Sequence, residues 1–317
     1  MTVKELPKVE LHVHLDGSIP YSYFISKGYD IDSIKDDITA SSDVNSLNDY
    51  LKKFSLPVSL MQDKDSLIEI SRLFGLELLK ENVIYVEVRF APLKHTLKGL
   101  SIEEVVKSVK HGLELSKIKF NLILCMMRDE NITNNKKIID LAHKYNYPVD
   151  LAGAEALYKT SSFKELFDYA NSLNVKFTIH AGEADNYTSV LSAISFGAKR
   201  IGHGVTSIQD YNTLNELREN NILLEVCVTS NIQTEAFTYS NHPVKKLYDD
   251  GILISINTDN RTVSGISLSD EYQLLLDKFN FSLDDLKQMN LNAIEASFLT
   301  DLEKKDLKKY FLDSWKQ

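Results

Sequence analysis

Several protein classes are excluded by what this chain lacks. Only two cysteines, Cys125 and Cys227, occur in 317 residues, both within apolar runs. That rules out a disulfide scaffold and points to a reducing compartment. No apolar stretch approaches the roughly 20 residues needed to span a bilayer. A few polar residues, not an apolar leader, precede the first predicted strand. Positive charge is scarce: 36 Lys and Arg stand against 45 Asp and Glu, for a net charge of −9. The pairs Lys136-Lys137, Lys245-Lys246 and Lys304-Lys305 read as solvated helix faces, so neither nucleic acid nor an anionic membrane is an expected partner. No Gly-rich phosphate fingerprint follows the first strand, which argues against a doubly wound dinucleotide fold. The expectation is a cytoplasmic protein whose residues 1–317 form one domain with a large core.

What the chain does contain is a recurrence of eight short apolar runs rich in β-branched residues, at 9–14, 84–91, 120–127, 149–153, 175–180, 200–203, 222–228 and 252–258. Continuous apolar runs suit strands covered on both faces, as in parallel sheets. Between them lie amphipathic segments. Ser101 with Glu104 and Ser162 with Glu165 fit capping boxes. Ile102, Val105, Val106, Val109 and Leu113 form one helical stripe, and Leu67, Ile70, Phe74 and Leu78 another. Eight strand–helix repeats predict a closed (β/α)8 TIM barrel. The connection from Asp16 to Val83 is far longer than one barrel helix requires. Within it Leu47, Tyr50, Leu51 and Phe54 are spaced like one apolar helix face, followed by Pro57 and Met61. It is read as extra helices forming a lid over the C-terminal mouth, where barrel active sites are built.

His12 and His14 stand two apart at the end of the first run, so their imidazoles share one face of a strand. Downstream, His180 precedes Ala181-Gly182-Glu183, His203 lies between Gly202 and Gly204, and Asp259 follows the eighth run. In a barrel all of these meet at the C-terminal mouth. Imidazoles with a carboxylate are a ligand set that zinc accepts, leaving a position for water whose pKa falls towards ~7. Glu183 is aimed into the same pocket by a tight turn, either as an acid with a raised pKa or as a group orienting a ligand histidine. His203 reads as a fifth ligand, a water-orienting base or a buried hydrogen-bonding histidine. Glu225, inside an apolar run, needs a partner, and the expectation is that it fixes the tautomer of His203. The other histidines, His95, His111, His143 and His242, are expected to be solvated.

The segments LHVHLDGS at 11–18, YVEVRFAP at 85–92, DLAGAE at 150–155, HAGEA at 180–184, RIGHG at 200–204, SN at 230–231 and NTDN at 257–260 resemble the adenosine deaminase family, a branch of the metal-dependent hydrolases. The LNDYLKKF segment resembles that family's lid helices. The resemblance implies one zinc ion per chain held by His12, His14, His180 and Asp259. It implies that Glu183 protonates purine N1, and that His203 and Asp259 manage the attacking water. It places Gly153 against the purine ring, Asp16 at the ribose 5′-hydroxyl, and Leu47, Tyr50, Leu51 and Phe54 along the apolar wall, with His14 also beside the substrate. Two positions depart from the family pattern. Asn260 stands where many members have a second aspartate, and its amide donates to purine N7 without needing a proton on a carboxyl. Val228 stands where proline is frequent, a change confined to turn geometry. The implied reaction is hydrolytic deamination of adenosine and 2′-deoxyadenosine. The alternatives are free adenine, N6-methyl-AMP or aminodeoxyfutalosine as substrate, and a non-catalytic zinc or nucleoside-binding protein. A binuclear hydrolase is disfavoured, because Leu151-Ala152-Gly153 has no bridging lysine.

Overall fold

Val, Ile and Leu runs without polar alternation bury strands on both faces, and here they close into a (β/α)8 barrel. The computed structural model describes residues 2–40, 44, 46–234 and 236–315, without the Asn48 side chain. The strands are β1 (Lys8–His14), β2 (Val83–Phe90), β3 (Phe120–Met127), β4 (Val149–Ala152), β5 (Ile179–Ala181), β6 (Arg200–His203), β7 (Leu223–Val226) and β8 (Ile254–Ile256). They pair in parallel as two four-stranded arcs, β1 to β4 and β5 to β8. Isolated parallel bridges, Val149 with Phe177 and Val13 with Asp259, join the arcs at both seams. At one seam Val149 N–H donates to Lys176 O (3.0 Å), and at the other His14 N–H donates to Asp259 O (2.7 Å). Closure leaves no free sheet edge among the described strands.

Several strands are shorter than expected. The run at 175–180 keeps regular pairing only from Ile179, its earlier part reduced to the seam bridge. The eighth stops at Ile256, just before Asp259 turns into the left-handed region (φ 62°). The seventh stops at Val226, because Val228 already begins a short helix (Val228–Gln233). Val228 thus holds the first helical position, which also accepts proline, so the departure from the family pattern is sterically neutral there.

The barrel interior is ionic. Glu87 and Arg89, two apart on β2, share a face. Arg89 bonds Glu225 (2.6 Å) and Asp150 (2.9 Å), while Arg200 bonds Glu225 through Nε (2.7 Å) and reaches Glu87. All five are essentially inaccessible to water, a burial tolerable only because each charge is paired and hydrogen-bonded.

Outside the barrel, α5 (Lys64–Lys80) and α6 (Ile102–Ser116) pack closely, Gly112 against Ile68 and Ser71 and Gly75 against Ser116, while both predicted stripes are buried except for Ile102, which stays half-exposed. The Ser101–Glu104 capping box is present. The one expected at Ser162–Glu165 is not: residues Thr160–Phe163 form a 3-10 turn, and the helix Lys164–Ser172 starts behind Phe163 without a side-chain cap. The long connection holds α1 (Tyr21–Ser26), α2 (Ile31–Ile38), α3 (Leu47–Lys52), α4 (Ser55–Leu60) and α5. The apolar face predicted over 47–54 is split between α3 and α4, with Phe54 capping the second and Pro57 in its first turn, where proline is tolerated. Together α3 and α4 form the lid over the barrel mouth.

Candidate active site

A cavity of about 390 Å³, ordinary for a small-molecule pocket, opens at the C-terminal ends of the strands. His14, Asp16, Gly153, His180, Glu183, His203, Asp259 and Asn260 line the barrel side; Leu47, Tyr50, Leu51, Phe54 and Val58 line the lid side. His12 lies just beneath, fully buried. Every site residue taken from the sequence is therefore in or directly below one cavity, except Glu225, which sits deeper in the barrel.

Three imidazoles converge through Nε2. His12 Nε2 and His14 Nε2 lie 3.3 and 3.5 Å from Asp259 Oδ1, and the Nε2 atoms of His14 and His180 are 3.2 Å apart. Four donors on a tetrahedron with bonds of about 2.0–2.1 Å are separated by roughly 3.3 Å, so this spacing suits a zinc-sized cation. His12 Nε2 has no hydrogen-bond partner despite complete burial, a donor atom without a role unless a cation takes it. Behind the cluster stand carboxylates. Glu225 Oε2 lies 2.9 Å from His12 Nδ1, and Asp150 Oδ2 lies 2.8 Å from His180 Nδ1. The Glu225 bond holds the proton on His12 Nδ1 and leaves Nε2 free for a metal, while Asp150 sets its charge beside His180 Nδ1. Gly202 makes this packing possible, since a Cβ there would come within 3.0 Å of His12 Cε1.

The partner of Glu225 is thus His12, not His203 as the sequence suggested. Glu225 is a neighbour of β6 in the sheet, but its carboxylate points down the barrel axis to the two arginines and meets the ring on β1. His203 is held instead by Asn231, whose Nδ2 donates to Nδ1 (3.0 Å) while its Oδ1 accepts from His242 Nε2 (3.3 Å). In this arrangement the neutral His203 ring carries its proton on Nε2, which has no partner and faces Glu183 Oε2 at 3.5 Å.

Two histidines expected at the surface are buried. His242 is wedged between the rings of Phe237 and Phe279. His95 packs on Phe90, with Nε2 3.6 Å from Asp16 Oδ2. Polar neighbours in sequence do not report what covers a residue from other elements. His111 and His143 are exposed, as expected.

Burial pushes the His14 imidazole down to about 3 and lowers His180 and His203 as well. His12 is raised: burial and Arg89 oppose its charge, but Asp259 and Glu225 on either side prevail. Asp259 is held well below the carboxylate range, burial being outweighed by the neighbouring imidazoles of His12, His203 and His14. Glu183 goes the other way, raised well above that range first by burial and then by the negative charges of Asp259 and Glu155. Asp259 is thus biased towards its charged form and Glu183 towards its protonated form within one cavity, the contrast acid–base chemistry requires.

Five functional-site neighbours were not singled out from sequence: Asp150 behind His180, Arg89 between carboxylates, Ser230 bonding Asp259 Oδ2 (2.6 Å), Asn231 on His203, and Glu155 beside Glu183. For Arg89 and Asp150 a signal existed, since a charge inside an apolar strand must have a buried partner. Ser230 and Asn231, on a short helix after β7, were marked only by the SN segment of the family resemblance, with no role attached.

The pattern of the adenosine deaminase family matches residues 7–313. An adenosine deaminase of Clostridium perfringens is 37% identical, the alignment covering 97% of this chain and 98% of that one. The structure of an N6-methyl-AMP deaminase from Arabidopsis superposes with a TM-score of 0.87 at 27% identity, covering 98% of this chain and 99% of that one. An adenine deaminase of Arthrobacter aurescens shares the fold, with a TM-score of 0.88 at 22% identity over 97% of this chain and 98% of that one. With its barrel, its cluster of histidines and its buried acid, this chain belongs to the adenosine deaminase family.

Proposed function

We propose that this enzyme hydrolyses adenosine and 2′-deoxyadenosine to inosine and 2′-deoxyinosine with release of ammonia, using one zinc ion held by His12, His14, His180 and Asp259. The observation that carries the reading is the close convergence of those donors, with spacings of 3.2–3.5 Å, beside an enclosed Glu183 whose carboxyl is pushed above the usual range by burial. Zinc, when bound, supplies Lewis acidity that brings the pKa of a water towards ~7. Glu183 holds a proton for purine N1, which makes C6 electron-poor as the oxygen adds. His203 donates from Nε2 to that oxygen as negative charge builds on it. Ser230 holds Asp259 Oδ2, keeping the carboxylate oriented to take the water's proton, which leaves with the amine. Gly153 meets the purine edge through its backbone, and Asn260 donates its amide to N7. Leu47, Tyr50, Leu51 and Phe54 cover the apolar face of the base.

Asp16 favours a nucleoside over the other aminopurines. Its Oδ1 is buried with no hydrogen-bond partner among the described residues, His14 Nδ1 standing 3.9 Å away, and is an acceptor ready for the ribose 5′-hydroxyl. Free adenine would leave that acceptor unpaired, and a 5′-phosphate would bring like charge to it. Lys94, at the same wall, is already paired with Asp129 (2.7 Å) and offers no free cation for a phosphate. Both thiols, Cys125 and Cys227, are buried and unpaired, which supports a reducing, cytoplasmic setting. No helix among the described residues is long and apolar enough to cross a membrane.

The test is zinc content together with amine release from adenosine, 2′-deoxyadenosine, adenine and N6-methyl-AMP. One zinc per chain is expected, with kcat/KM for the first two at least about 100-fold above the others, the discrimination an unpaired buried acceptor supports. Protein that takes up no zinc, or that prefers adenine or the methylated nucleotide, overturns the reading.

A further inference from the structure

Glu155 lies three residues beyond the end of β4, and only 1% of it is accessible. Its carboxylate gathers the amides of an entire turn. Oε1 accepts Gly182 N–H (2.8 Å) and the Ser189 hydroxyl; Oε2 accepts the N–H groups of Glu183 (2.9 Å), Ala184 (2.8 Å) and Asp185 (3.2 Å). Four consecutive amides converging on one side chain form a cradle that no other described carboxylate provides for this turn. The same turn is gripped at its start. Arg128, at the end of β3 and 2% exposed, donates through Nη2 to His180 O (2.6 Å) and to Thr160 Oγ1 (3.0 Å). Thr160 Oγ1 and Ser189 Oγ are 2.5 Å apart, which links the arginine to the carboxylate. Gly182 sits inside with φ +73°, and a Cβ there would come within 2.5 Å of Val190 Cγ2 and 2.7 Å of Thr206 Oγ1. The turn has one course, and along it Glu183 Oε2 arrives 3.5 Å from His203 Nε2.

We propose that Glu155 is a positioning residue for the deamination: its grip on the amides of 182–185 sets the Glu183 carboxyl against the purine, while Arg128 anchors the preceding strand end. The inference rests on Glu183 being the proton donor. A carboxylate that merely stapled the loop would be replaceable at little cost to turnover. A positioning residue is not, because a displacement of about 1 Å in an acid's placement lowers rate without weakening binding.

Two replacements of the zinc-loaded enzyme separate these cases. In Glu155→Gln the amide oxygen can serve one set of donors, while its NH2 faces the other. In Glu155→Asp the charge stays, but the carboxylate retracts by one methylene. Each is expected to lower kcat for adenosine about 10- to 100-fold, with KM and bound zinc changed less than about twofold. Amide hydrogen exchange adds a second readout: residues 182–185 are expected to exchange as slowly as β4 and β5 in the wild type and faster in Glu155→Gln. Wild-type kcat in either variant, or kcat, KM and zinc all lost together, overturns the proposal, as does rapid exchange of 182–185 in the wild type. Should Glu183→Gln itself turn over normally, the acid reading falls first, and the exchange data still report whether Glu155 holds the turn.

Discussion

The cavity has two walls, and they are held by different physics. On the barrel side the histidines and Asp259 sit at strand ends, and most use a second polar atom: His12 on Glu225, His180 beside Asp150, His203 on Asn231, Asp259 on Ser230. His203 and Asp259 adopt φ values of 60° and 62°, conformations that persist only where the surroundings over-determine them. On the lid side α3 and α4 are six residues each, well short of the ~12–15 an isolated helix needs. A small cluster of Val44, Tyr50 and Val263, with Tyr50 Oη 2.7 Å from Ser264 Oγ, ties that lid down. In the proposed reaction the work divides the same way, with placement of reacting groups on the ionic wall and covering of the substrate on the apolar one.

The sharpest way to break that division is Glu183→Gln. Turnover is expected to fall about 10³-fold, within the range for removing a positioned acid, while zinc stays bound. Ammonia release with metal analysis checks it, and near-normal turnover would mean the barrel wall does not carry the acid. Next comes Glu225→Gln, which leaves Arg89 and Arg200 short of negative charge and His12 without its carboxylate. Zinc affinity should drop about 10- to 100-fold and stability by about 3–5 kcal/mol, measured by metal titration and by denaturant unfolding. Unchanged zinc affinity would detach Glu225 from the metal centre. Tyr50→Ala probes the other wall: KM is expected to rise about tenfold, or 1.4 kcal/mol, with a smaller loss of thermal stability than Glu225→Gln. The opposite ranking would make the lid a packing element.

The smallest effect concerns His242, which lies behind His203 and shows how far the ordered side extends. Burial pushes its imidazole down to about 3, against 6.5 when unfolded. Because the folded value is the lower one, the associated stability is present above about pH 6.5 and is lost as pH falls from there towards 3. Thermal melts of the wild type should therefore decline over that window, and His242→Gln should decline less steeply. Parallel curves would show that His242 charges freely in the folded state.

How much was legible follows from how far each signal reaches along the chain. The His12/His14 pair was readable because alternate residues on a strand share a face, a relation spanning two residues. The eight apolar runs were readable because a strand covered on both sides needs no partner identity to be apolar. Strand ends were less so: Val228 has the character of a strand residue, yet it starts the helix that runs to Gln233. Ser162 matched a capping box, but the tight turn at Thr160–Phe163 moved the helix start past it.

The sequence by itself determined the barrel, the order of its strands and the set of chemically able residues at its mouth, since these follow from periodicity and residue type. Only the tertiary structure decided which carboxylate backs which imidazole, that His95 and His242 are covered, and that Glu155 grips the Glu183 turn. Those pairings join residues dozens to hundreds of positions apart, and barrel closure, through strand tilt and cross-sheet register, brings them within hydrogen-bond distance.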